Sequence, residues 1–140
     1  MSAPPLPVID AGYLHRLDRH LGRQTVEELI ADALLELADR RSRLATALDA
    51  VDAGERCYGI AHDLKALAGS VGLTALMAAS DRVQRLAGGD DPAGEAGALR
   101  AAVDQLLARI DDALLALSSR RLTDSDDHIR RATAEQRHDR

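Results

Sequence analysis

The chain has neither tryptophan nor phenylalanine, and its aromatic content is 1%. Strands draw on aromatic and β-branched residues, so a β-rich fold is excluded for want of material. One cysteine, Cys57, is present; this excludes an intramolecular disulfide framework and fits a reducing compartment. No apolar run approaches the ~20 residues needed to span a bilayer. Residues 1–7 have neither the basic nor the apolar region of a secretory leader. Basic charge is in deficit, with 18 Lys and Arg against 23 Asp and Glu and a net charge of −5, so no basic face is expected to track a nucleic-acid backbone. The expectation is a cytoplasmic protein with no membrane or nucleic-acid partner. Among the basic residues lysine is the scarce one: 17 of the 18 basic side chains are arginine, and the exception is Lys65.

What the chain does have is alanine, leucine and valine, within an apolar content of 46% over 140 residues. Alanine and leucine lead the helix scale, and this length supports one domain with one core. The fold expected is all-α. Pro4, Pro5 and Pro7 mark an extended leader over residues 1–7. Asp10 is placed to N-cap a short helix carrying Leu14, Leu17 and Leu21, which Gly22 breaks. A longer helical stripe covers about 25–48, and a turn at 52–54 leads into a third helix over about 54–70. Gly69 and Gly72 stand at its end as candidate C-terminal glycines. Thr74 is a candidate cap for the fourth helix, with Leu76, Ser80, Val83 and Ala87 as its stripe, and 88–94 reads as a loop. The fifth helix repeats Leu99, Val103, Leu106, Ile110, Leu114 and Leu117, the narrow seam of a bundle helix. After Ser118 the pattern dissolves, and 119–140 reads as a polar, disordered tail. The architecture expected is an antiparallel four-helix bundle over 8–118 with an additional short N-terminal helix.

The third helix contains the chemistry. At ~100° per residue, Cys57, Ile60, Leu64 and Leu67 cluster opposite His62 and read as its core stripe. His62 then projects to solvent from the middle of a helix, with Lys65 three residues on and on the same face. A nucleophilic nitrogen beside a compact ammonium suits a phosphoryl group. Tyr58, Gly59, Ala66 and Gly69 fall on the same side. A glycine inside a helix costs roughly 1 kcal/mol against alanine, which Gly59 offsets only if it gives clearance to another macromolecule approaching the ring. Spacing alone leaves an ordinary solvated histidine beside helix-packing glycines as an equal reading. If the third and fourth helices fold back around 72–73, His62 faces residues 82–84, and the Gln84 carbonyl can accept the Nδ1 proton and leave Nε2 free. The alternative for Gln84 is a plain exposed glutamine.

The stretch from Ala61 to Gly72 resembles the signature of histidine-containing phosphotransfer (HPt) domains, Ala-His-x-Leu-Lys-Gly-Ser-Ala with a further glycine ten residues after the histidine. Ala61, His62, Leu64, Lys65, Ala68 and Gly72 match it in register. The resemblance covers about Val8 to Ser118 and implies a phosphorelay intermediate. His62 would be the phosphoacceptor and Lys65 the cation that steadies the phosphoryl oxygens. Gln84, twenty-two residues after the histidine, lies where several family members hold the active imidazole. Ala66 and Gly69 would form the docking floor for a response-regulator receiver domain. The implied partners are receiver domains and a hybrid histidine kinase, with Mg²⁺ on the receiver and no cofactor or ATP-dependent kinase activity in this chain. The sequence departs from the pattern at Ala66, where glycine is usual and where an extra methyl would narrow the set of receivers that fit. Leu67 and Ser70 also differ from the residues common there.

Two other readings compete. A dimeric, histidine-kinase-like phosphotransferase places its histidine on a two-helix hairpin, whereas this chain supplies enough helices for a monomeric bundle. A non-catalytic helical adaptor would keep the bundle and never carry phosphate. No metal site is expected. Cys57 and His62 are five apart, as are His15 and His20, a poor spacing for one helix face.

Overall fold

The computed structural model describes residues 4–89 and 96–138. Five helices follow one another: α1 Ala11–Leu21, α2 Arg23–Ala47, α3 Ala53–Val71, α4 Thr74–Ala87 and α5 Ala96–His138. The all-α fold expected from the composition is the one observed. Packing runs α2 on α3, α3 on α4, α4 on α5 and α5 back on α2, with α1 against α2. No helix among the described residues is long and apolar enough to cross a membrane.

Local chemistry sets the boundaries. The Asp10 carboxylate accepts the Tyr13 amide at 3.0 Å and starts α1. Gly22, at φ 84°, ends it and turns its own N–H back to the Asp18 carbonyl. Gly72 closes α3 in the left-handed region at φ 73°, which favours glycine. Glycine is required there a second time, because a Cβ would come within 2.7 Å of Tyr13 Cδ1. The same turn is held from outside. The Asp10 amide donates to the Gly72 carbonyl at 2.8 Å, and the Tyr13 hydroxyl donates to the Ser70 carbonyl at 3.3 Å. Thus α1 is tied to the hinge of the α3–α4 hairpin.

The core is built mainly of aliphatic side chains. Leu37, Leu44, Leu64, Leu106, Ile110 and Leu117 are fully buried in it, each such side chain stabilising the fold by ~1.5–3 kcal/mol. The fifth-helix seam is placed as the sequence pattern predicts: Val103, Leu106, Ile110 and Leu117 are buried, and Leu99 and Leu114 are half-buried.

Three expectations are corrected. The buried line of α3 is Cys57, Ala61, Leu64, Ala68 and Val71, with Ile60 and Leu67 half-buried at its edge. The two alanines allow the helix to approach closely, and the larger side chains pack on the flank. Thr74 is the first residue of α4 rather than its cap. Leu73 occupies the cap position without a side-chain bond, and the Pro7 carbonyl accepts the free Ala75 amide at 3.1 Å. Finally, helix does not stop at Ser118. α5 runs on to His138, with residues 129–137 exposed. Once a helix is nucleated, each added residue gains one hydrogen bond, so the helix can continue into a polar segment. The Arg120 guanidinium on Asp18 at 3.0 Å fastens the start of this extension to α1. Of the predicted 88–94 loop, Gly88 and Gly89 form a turn, and the remainder lies outside the described residues.

Candidate functional site

His62 lies exposed at mid-length of α3, and α4 runs beside it. The antiparallel register of these two helices sets three pairs in a row. Tyr58 lies against Gly88, where a Cβ would stand 3.4 Å from the phenol ring. His62 Nδ1 lies 3.2 Å from Gln84 Nε2. Lys65 Nζ lies 2.7 Å from Asp81 Oδ1. The Tyr58 and His62 rings, one turn apart, are nearly parallel at 7° with centroids 6.5 Å apart.

Gln84 meets the imidazole as the hairpin register predicts, but through the other end of its amide. With Nε2 facing Nδ1, the amide donates and the ring proton belongs on the far nitrogen. Gln84 Oε1 is buried without a hydrogen-bond partner. Rotating the amide by 180° brings that oxygen to Nδ1, where it accepts the ring proton and leaves Nε2 with a free lone pair. The two nearly isosteric amide orientations therefore correspond to the two tautomers of one ring.

Lys65 is half-buried, and its ammonium is engaged rather than free. Asp81 takes it on one carboxylate oxygen and Arg85 Nε on the other, at 2.9 Å. The Lys65 hydrogen bond holds the Asp81 carboxyl below the usual carboxylate range; the Arg85 and Lys65 charges reinforce this, and partial desolvation opposes it. Asp81 and Arg85 are site residues that sequence reasoning missed. The signal was available, because the register that sets Gln84 opposite His62 also sets Asp81 opposite Lys65.

The docking candidates divide. Tyr58, Gly59 and Ala66 are exposed, and a Cβ on Gly59 would meet nothing within 4 Å, so no intramolecular contact requires glycine there. Gly69 is half-buried, and a Cβ on it would lie 3.7 Å from Met77 Cε; it faces α4 rather than the floor around His62. An open groove of about 470 Å³ runs alongside His62 between α2 and α3, bordered by Arg43, Thr46, Tyr58 and Gly59. On this flank Asp63 is drawn to Arg40 of α2 at 3.3 Å. Cys57 is buried, which raises its thiol pKa. Among the described residues, no group of three or more His, Cys, Asp or Glu side chains is placed to hold a metal ion.

Comparison of the chain with family models, with curated proteins and with solved structures finds no match.

Proposed function

We propose that this chain is a monomeric, cytoplasmic histidine phosphotransfer protein that takes a phosphoryl group onto His62 from the aspartyl phosphate of a receiver domain and passes it to another. The observation that carries the reading is the imidazole itself: exposed at mid-helix, with one nitrogen engaged by Gln84 at 3.2 Å and a lysine one turn along.

In the transfer step the Nε2 lone pair forms the N–P bond while the P–O bond to the receiver's aspartate breaks, and that electron pair leaves on the carboxylate oxygen. With the Gln84 amide turned by 180° from the orientation observed, the ring keeps its Nδ1 proton, which Gln84 Oε1 accepts as a hydrogen bond, and so becomes a phosphorylated imidazolium. The transition state is loose, and catalysis consists chiefly of alignment and charge compensation. Lys65 supplies charge from this side. The receiver supplies Mg²⁺ and the remaining groups, entering over Tyr58, Gly59 and Ala66 and along the α2–α3 groove. The chain is thus a phosphocarrier, with no kinase activity of its own.

The test is transfer from phosphorylated receiver domains to the wild type and to His62→Gln. Acid-labile, base-stable label on the wild type alone is the expected result. Receivers that bind the wild type without labelling it would overturn the reading in favour of a helical adaptor.

A further inference from the structure

We propose that Asp81 is a positioning residue that attenuates Lys65, so that a phosphoryl group on His62 is held weakly enough to be passed on; this rests on the phosphotransfer reading above. Lys65 is the chain's one lysine, and among the described residues its ionic partner is Asp81. An ammonium has three donors, so Asp81 leaves it capacity for a second anion. The carboxylate opposes any such anion at short range and cancels part of the field that Lys65 projects toward His62. Asp81 is itself divided, since Arg85 occupies its second oxygen at 2.9 Å. The row Arg85–Asp81–Lys65 therefore acts as a graded counter-charge. Arg85 weakens the grip of Asp81 on Lys65, and Asp81 weakens the grip of Lys65 on phosphate. Both acidic and basic side chains retain solvent access, 30% for Asp81 and 44% for Lys65, so the ammonium can reorient toward a phosphoryl group without unfolding either helix.

Asp81 and Arg85 have opposite signs of effect. Asp81→Asn keeps the side-chain shape and removes the charge, which releases Lys65 to the phosphoryl oxygens. Arg85→Ala leaves Asp81 whole for Lys65. For charges close together near a protein surface, the expected change in the equilibrium between phosphohistidine and receiver phosphate is about three- to tenfold. Asp81→Asn moves it toward phosphohistidine, and Arg85→Ala moves it away.

Phosphoramidate, which phosphorylates histidine without a receiver, loads the wild type, Asp81→Asn, Arg85→Ala, Lys65→Ala and the Lys65→Ala/Asp81→Asn double variant. Phosphohistidine lifetime is then read alone, and the transfer equilibrium is read with a receiver. The expected result is a longer lifetime for Asp81→Asn, a shorter one for Arg85→Ala, and no effect of Asp81→Asn once Lys65 is gone. Equal lifetimes, shifts of one sign, or an Asp81 effect that persists without Lys65 would overturn the proposal, because a structural role does not depend on the lysine. Loaded protein that transfers to no receiver would overturn the phosphorelay reading and leave the lifetime comparison to judge Asp81 separately. Failure of phosphoramidate to label His62 would overturn both.

Discussion

Two seams of the bundle are each bridged by a base and an acid, and they are built differently. Between α2 and α5, Arg41 grips both oxygens of Asp111, Nε on one and Nη2 on the other. Between α3 and α4, Lys65 takes a single oxygen of Asp81. The fork of an arginine closes on a carboxylate and leaves little for a third party, whereas a lysine is a point charge with donors to spare. The α2–α5 pair is a staple, and the α3–α4 pair is a charge held in reserve beside an imidazole. In a chain that otherwise uses arginine everywhere, the proposed phosphotransfer role would account for the exception at position 65.

The comparison is broken most directly by making the two seams alike. Lys65→Arg should close a fork on Asp81 in competition with Arg85, leaving the bundle folded while slowing phosphotransfer to His62 by about tenfold or more, since removing one aimed donor from a transition state costs on that order. Stopped transfer assays beside a thermal melt check it, and an unchanged rate would mean that any cation serves. A smaller effect, on stability, comes from acid. Asp81 and Asp111 both have carboxyl pKa values held down, chiefly by hydrogen bonds from Lys65 and Arg41 respectively. A depressed folded pKa gives stability that is fully present above the ordinary carboxylate value of about 3.9 and is lost as pH falls through the lower folded values. Melts between about pH 5 and pH 2 should therefore fall less steeply for the Asp81→Asn/Asp111→Asn double variant than for the wild type. Smallest is the staple alone: Arg41→Ala should lower stability by less than about 1 kcal/mol, because both partners are exposed and screened, and should leave phosphotransfer unchanged. A denaturant midpoint and a transfer assay read the two together.

Much of this was legible in the chain. Composition settled the class, because Ala and Leu without Phe or Trp leave only helices to build. The seam from Val103 to Leu117 and the capping role of Asp10 followed from spacing and side-chain chemistry. His62 and Gln84 met because a tight turn after Gly72 fixes the antiparallel register. The errors came where neighbours decide. Ile60 and Leu67 outrank Ala61 and Ala68 in hydrophobicity, yet close packing places the alanines on the inner line. The Pro7 carbonyl that caps α4 is distant in sequence from Thr74. Asp81 was overlooked because one acidic residue on an exposed helix has no signal until its partner across the hairpin is found.

The clamp on Gly72 has a mechanical consequence. Asp10, Tyr13 and Pro7 grip the closed end of a hairpin whose His62–Gln84 pair lies ten residues along α3, an arm of about 15 Å at 1.5 Å per residue. A tilt of about 5° at that pivot would move His62 past Gln84 by about 1 Å, and displacements of that size can cost a hundredfold in rate. Pro7, Asp10 and Tyr13 thus act as the fulcrum brace of a lever whose far arm carries the imidazole.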